Sequence, residues 1–312
     1  MRGAALLALW LVGAAADAAI LATATPGVTL TLTTSPGSTA MAVGYVPAFQ
    51  RYYGGSGDFS TSPVTVFSSS GSQLSQGPTG VDGRGLYFNP NTGFLESMSY
   101  NACCAFGLGS AVGLQHINLD GSGNLVGTNT QLLSAPIAAI GANTQAMVSY
   151  DPGSDHLYSK QTGSAVVNVA NRTSAAALGT ITLNLAGAGV TTGDVNDNFV
   201  GTTGVAGSEL AIYDFTNHRA LVFDLAGNFI GASLLPAIPG GTNNLYGSGY
   251  ANGQFFVFDD TIGTAGAWRG FNIFAGAAVS TPVPTLSGFG VIVLAAIIGL
   301  LAMLGLRRRA RI

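Results

Sequence analysis

Ile117-Asn118-Leu119-Asp120-Gly121-Ser122-Gly123-Asn124-Leu125-Val126-Gly127 aligns without a gap on Leu221-Val222-Phe223-Asp224-Leu225-Ala226-Gly227-Asn228-Phe229-Ile230-Gly231, 104 residues further on. In both stretches an apolar run meets Asp, reaches Gly and resumes as a second apolar run. Asp bonds its own backbone two residues on, and Gly accepts the positive φ of a tight turn, so each stretch predicts strand, turn, strand. Half the offset brings Val66-Phe67-Ser68-Ser69-Ser70-Gly71 into the same register, with weaker copies near Val166 to Val169 and Phe271 to Gly276. Five such units at about 50 residues each make a repeat architecture.

A second element precedes the first. Tyr87-Phe88-Asn89-Pro90-Asn91-Thr92-Gly93-Phe94-Leu95 matches Ser149-Tyr150-Asp151-Pro152-Gly153-Ser154-Asp155-His156-Leu157, and Tyr213-Asp214-Phe215-Thr216-Asn217-His218-Arg219-Ala220-Leu221 is a looser third copy. Two hairpins per period give four strands, the blade of a β-propeller. The expected fold is therefore all-β, a propeller-like domain of about five blades, with a β-sandwich as the alternative. Asn217 to Asp224 resembles the NHL and related repeat families, and that resemblance points to the same fold. The last unit ends after one or two strands at Phe274, while Val28 to Thr33 stands alone as an alternating strand. A closed propeller would use that N-terminal strand to complete its last blade and remove two open edges.

Charged residues make up 8% of the 312 residues, against roughly 25% in soluble globular proteins, while 47% are hydrophobic and 45 are glycine. The apolar excess concentrates at the ends. Arg2, an apolar run from Ala4 to Ala15, and then Ala16-Asp17-Ala18 form the n-region, h-region and small-residue site of a secretory signal peptide. Cleavage is expected after Ala18, with the Sec export machinery as the implied partner. At the other end Leu286 to Leu306 is apolar but for Ser287 and runs into Arg307, Arg308, Arg309 and Arg311. About 20 residues at 1.5 Å each span the hydrocarbon layer, and the arginines act as a stop-transfer signal that keeps the tail in the cytoplasm. The expected domains are residues 1–18, 19–278 and 279–312.

Between the ends, Val283-Pro284-Thr285-Leu286-Ser287-Gly288-Phe289-Gly290 abuts the apolar run. Motif, hydrophobic helix and arginine-rich tail in that order resemble the IPTL-CTERM sorting signal of Gram-negative bacteria, with Val283 in place of the usual Ile and Phe289 in place of the usual Trp. The resemblance implies that a membrane-embedded exosortase-type transpeptidase recognises Val283 to Gly290 and processes the chain there. It implies an exported protein of the cell envelope, with its body outside the cytoplasm.

Without its two ends the chain keeps 6 of 11 basic and 13 of 14 acidic residues, a net charge near −7. An acidic surface repels nucleic acid, and no nucleic-acid partner is expected. Cys103 and Cys104 are adjacent and are the only cysteines. Export favours oxidation, but neighbours close only a strained ring. A vicinal disulfide, two buried thiols and an intermolecular bridge all stay open. Asp120 to Asn124 begins like a calcium loop, but Leu125 stands where Gly is needed and Gln131 where the closing Glu belongs. Asp194, Asn196, Asp197 and Asn198 form a second oxygen-rich turn, also without that Glu. Hairpin turns are the plainer reading of both, and no cofactor is expected beyond calcium as the lesser reading. His116, His156 and His218 fall in different repeats with no metal-binding spacing.

Two functions follow. The first is a non-enzymatic binding or structural module at the cell surface. The second is a lactonase- or glycosidase-like hydrolase with metal-bound water in the channel, for which Asn89, Asp151, Asp194 and Asp214 would have to converge.

Overall fold

A computed structural model describes residues 18–37, 39–58, 61–99, 113–133, 147–160, 163–196, 198–238 and 246–276. Residues 1–17, within the segment read from the sequence as a signal peptide and including Ala16, lie outside them. So do Cys103, Cys104, the 283–290 motif, the apolar run to Leu306 and the terminal arginines. Among the described residues no helix is long and apolar enough to cross a membrane.

These residues fold into five four-stranded antiparallel blades. The chain opens with strand β1 (Ile20–Thr31). The first blade follows as β2 (Thr39–Val46), β3 (Arg51–Gly57), β4 (Pro63–Phe67) and β5 (Gln73–Pro78). The second is β6 (Gly83–Asn89), β7 (Phe94–Ser99), β8 (Gly113–Leu119) and β9 (Leu125–Leu133), and the third is β10 (Val148–Asp151), β11 (His156–Lys160), β12 (Val166–Asn171) and β13 (Ala177–Thr182). The fourth comprises β14 (Gly201–Thr202), β15 (Leu210–Asp214), β16 (Arg219–Phe223) and β17 (Phe229–Leu234). The fifth has β18 (Ser248–Ala251), β19 (Gln254–Asp259) and β20 (Ala267–Phe274), with β1 as its fourth strand. The innermost strands lie against one another in a closed cycle, β2 on β6, β6 on β10, β10 on β14, β14 on β18 and β18 on β2. The sandwich alternative is thereby set aside.

The N-terminal strand closes the ring as expected, but it begins earlier and the fifth blade is more complete than the sequence suggested. That blade supplies three strands of its own, and β1 pairs with β20 from Ile20↔Phe274 to Thr31↔Ala267. Where its register with β20 shifts, between Ile20 and Thr25, Thr23 pairs in parallel with Leu234 of β17. One strand therefore joins two blades into an eight-stranded sheet. The Ala275 amide donates to the Ala19 carbonyl at 2.7 Å.

The core lies between blades rather than within them. Leu30, Tyr52, Phe67, Phe256 and Trp268 fill the junction of the fifth and first blades, and Tyr87, Met98, Leu114, Tyr150 and Leu157 fill that of the second and third. Both faces of a blade's inner three strands are thus covered, which explains how a chain so poor in charge can fold; the outer strands, such as β9 and β13, are the ones that meet water.

The decisive repeat is the turn between the third and fourth strands of the first four blades; in the fifth, β20 and β1 come from distant parts of the chain and no turn joins them. Asp120 Oδ1 accepts the amides of Ser122 and Asn124, while Asn124 Nδ2 donates to Asp120 Oδ2. Asp224 makes the same three bonds with Ala226 and Asn228. Gly71 and Gly227 sit there at φ 89° and 83°, and a Cβ on either would collide with a carbonyl of the preceding blade, that of Thr29 or Thr182. Hence glycine is required twice over, by conformation and by space.

In these four blades the outer strand then carries a register irregularity just past this turn. In three blades one residue of the outer strand has no partner opposite: Leu74, Leu178 and Ile230. Val126 falls in the matching irregularity of the second blade. These four residues, 52 apart in sequence, are about half exposed.

One expectation is corrected. The looser third copy at Tyr213 to Leu221 is not the hairpin of strands one and two, as it is at Asn89 to Phe94 and Asp151 to His156. It joins strands two and three of the fourth blade. The inner strand there is only Gly201–Thr202, and its connection to β15 runs from residue 203 to 209.

Candidate functional site

The blade pattern fixes two opposite ends. One carries the connections between strands one and two and between strands three and four. The other carries those between strands two and three and between blades.

The four oxygens on which a channel metal would depend are divided between these ends. Asn89 closes β6, with its Oδ1 accepting the Asn91 amide and its Nδ2 donating to Glu96. Asp151 closes β10 and accepts from the Gly153 amide and the Ser154 hydroxyl. Asp194 and Asp214 stand together at the opposite end, where the Asp194 carbonyl accepts the Phe215 amide. Asp194 itself accepts from the Thr191 amide and hydroxyl at 2.8 and 2.7 Å. Asp214 is bound by Asn217 and by two nitrogens of Arg219. The convergence that the hydrolase reading needs is not formed by these residues. Among the described residues no group of three or more His, Cys, Asp or Glu is placed to hold a metal.

The two oxygen-rich turns serve the backbone. Asp120 is held below the usual carboxylate range by the Asn124 amide first, then by the Asn124 side chain and the Ser122 amide. The Thr191 hydroxyl and amide depress Asp194 in the same way. Asn196 accepts the Tyr213 amide and donates to the Phe199 carbonyl, so it ties the third-to-fourth blade connection to β15. Asp197 lies outside the described residues.

The histidines also go to separate places. His116 stacks on Phe94 with centroids 3.9 Å apart, and burial lowers its pKa against the charge of Glu96. His156 begins β11 beside Tyr158, and His218 Nδ1 meets the Tyr213 hydroxyl at 3.2 Å.

Three buried charged clusters were not visible as such in the sequence. Glu96, fully buried, receives Arg172 through Nε at 3.0 Å and Nη2 at 2.6 Å and the Tyr87 hydroxyl at 2.8 Å. Burial and the Glu96 charge push the Tyr87 hydroxyl far above its usual pKa, which keeps it protonated as a donor. Lys160, the only lysine and also fully buried, donates to the Asn196 carbonyl at 2.7 Å. Arg84 meets Asp82 at 2.5 Å, and Asp82 also accepts the Asp58 amide. The first pair links the second blade to the third, and Lys160 links the third to the connection that follows it. Their rarity in a chain with six cations outside its ends was the available signal; their partners, 36 and 76 residues away, were not legible.

A pocket of about 140 Å³ opens between the third and fourth blades, lined by Asp151, Tyr158, Thr202, Glu209, Leu210 and Leu225, with Gly204 and Ala206 from the long 203–209 connection. Burial raises the Tyr158 pKa; its hydrogen bond with Ser154 opposes this, and the charges of Asp151 and Glu209 add to it. Its wall of carboxylates disfavours anions and suits small donors of hydrogen bonds.

The comparisons with known proteins bear on the C-terminus and on the fold. No curated protein matches the chain in sequence. A chain of a nidogen/laminin complex is similar over 62% of this chain and 63% of its own length, less than two thirds of it, at 13% identity and a TM-score of 0.37. The glutaminyl cyclase of Myxococcus xanthus is similar over 81% of this chain and 97% of that one, at 11% identity and a TM-score of 0.51, a likeness of fold alone that agrees with the propeller-like body. The family model described as the IPTL-CTERM motif matches residues 281–309. The chain therefore joins a β-propeller-like body to a C-terminal IPTL-CTERM sorting signal of the kind carried by exported proteins.

Proposed function

We propose that this is an exported, envelope-sorted surface protein whose five-bladed body is a non-enzymatic binding or structural module. The match of residues 281–309 to the sorting motif carries the reading. A leader of residues 1–18 directs the chain through the Sec machinery and is removed after Ala18. The body, residues 19–278, folds outside the cytoplasm. Leu286 to Leu306 then crosses the membrane, and Arg307, Arg308, Arg309 and Arg311 hold the tail in the cytoplasm. An exosortase-type transpeptidase reads Val283, Pro284, Thr285, Leu286, Ser287, Gly288, Phe289 and Gly290 and cuts the chain there.

Pro284 holds Val283 extended, and Gly288 and Gly290 leave the peptide short of side chains, as a protease groove requires. The decisive experiment replaces Pro284 and Thr285 with alanine and follows processing by gel mobility in cells that carry the transpeptidase. The unprocessed, membrane-held form should accumulate. Processing that is unchanged would remove the motif from the mechanism.

The lactonase- or glycosidase-like reading loses its support with the separation of Asn89 and Asp151 from Asp194 and Asp214. In the body reading, the buried ions are ties between blades. Cys103 and Cys104 are left with the alternatives that the sequence allows.

A further inference from the structure

We propose that the leader must be cut before the fifth blade closes. The inference rests on the leader reading above and adds an order to it. The expected scissile bond joins Ala18 to Ala19. Ala18 packs against the largest apolar cluster of the propeller, and Ile20, next but one, covers Gly231 of β17. Between them the Ala19 carbonyl accepts the Ala275 amide at 2.7 Å. Ile20 also pairs with Phe274.

A peptide recognised by strand addition must offer its main-chain hydrogen-bonding groups to the partner. Those on the carboxyl side of the cut are already spent on β20. Hydrolysis breaks the Ala18–Ala19 amide, adds one water across it, and leaves a carboxylate on Ala18 and an ammonium on Ala19. For that to happen in the folded chain, the first turn of the zipper between β1 and β20 would have to open and expose Ile20. The partner strand, Ala267–Phe274, is also made some 250 residues after the leader. Leader removal during export therefore meets no latch, whereas a chain that folds first traps its own leader.

The test uses the full chain made by cell-free synthesis without membranes, solubilised in detergent and allowed to fold, with protease resistance of the body as the check. Leader peptidase is then added and the cut followed by gel mobility and N-terminal sequencing. A second precursor carries eight Gly and Ser residues between Ala19 and Ile20, which moves the bond away from the sheet without altering it. The wild-type folded precursor should be cut at least about tenfold more slowly than the spacer variant, and both should be cut equally when the peptidase is present during synthesis. Equal rates on the two folded precursors would overturn the proposed order. If neither is cut under any condition, or cutting falls elsewhere than Ala18, the leader reading itself fails and the order with it.

Discussion

At the scale of single residues, the turn between strands three and four shows most directly what the fold asks of its sequence. Gly71, Gly123 and Gly227 take positive φ in three blades, and in the third blade Ala175 takes it instead, at φ 59°. An L-residue pays about 1–2 kcal/mol for the left-handed region. Ala175→Gly should therefore stabilise the protein by about 0.5–1 kcal/mol. Gly227→Ala adds a collision with the Thr182 carbonyl to the same strain and should cost more than about 2 kcal/mol. The midpoints of urea unfolding decide both, and equal effects at the two positions would contradict the part assigned to the neighbouring blade.

His116 makes a pH-dependent contribution whose sign follows from its burial. Burial lowers its pKa from the ordinary 6.5, opposed by the charge of Glu96, so the unfolded chain binds this proton more tightly. The contribution is complete above about pH 6.5 and is lost as pH falls through the lower folded value. His116→Gln should narrow the difference in urea midpoint between pH 7.5 and pH 5.5. An unchanged difference would place the acid sensitivity elsewhere.

At the scale of elements, the ties between blades are the informative part. Glu96 sits on β7 and Arg172 in the turn after β12, and both arms of the guanidinium reach the carboxylate. Removing one member of a buried pair leaves a desolvated charge at a cost of about 3–5 kcal/mol. Arg172→Ala should approach that figure in urea unfolding, and adding Glu96→Gln should recover part of the loss. A double variant no better than the single would mean that the arginine acts by packing alone.

What was legible follows the same division. Hairpins built on Asp, Ser and Gly could be read because the turn itself dictates those residues, and their 52-residue repetition gave the blades. The innermost strands could not, since β14 is two residues long and β10 and β18 are four each. That brevity also explains the misplaced third copy. From the first-to-second strand hairpin to the next repeated turn takes 31 residues between Asn89 and Asp120 and 20 between Asp151 and Asn171, but only 10 between Asp214 and Asp224. The shortfall marks a different hairpin. The ion pairs were out of reach because nothing local specifies which blade will lie beside which.

For the molecule as a whole, the balance of charge and burial is the governing fact. A body with a net charge near −7 keeps five of its six cations, Arg84, Lys160, Arg172, Arg219 and Arg269, in bonds to acidic side chains or to backbone oxygen. Its remaining surface is acidic and hydroxyl-rich.

The meeting of Ala19 with Ala275 carries one more consequence: the body has a beginning and an end only by convention. Joined head to tail by a short linker and opened instead between Gly121 and Ser122, in an exposed turn, a circular permutant should fold to the same propeller. Its fifth blade would then be continuous in the chain, like the first, third and fourth, and its second blade would instead be assembled from the two extremities of the polypeptide. Resistance of such a permutant to proteolysis, set beside that of the parent, would show how much of the stability depends on where the chain happens to start.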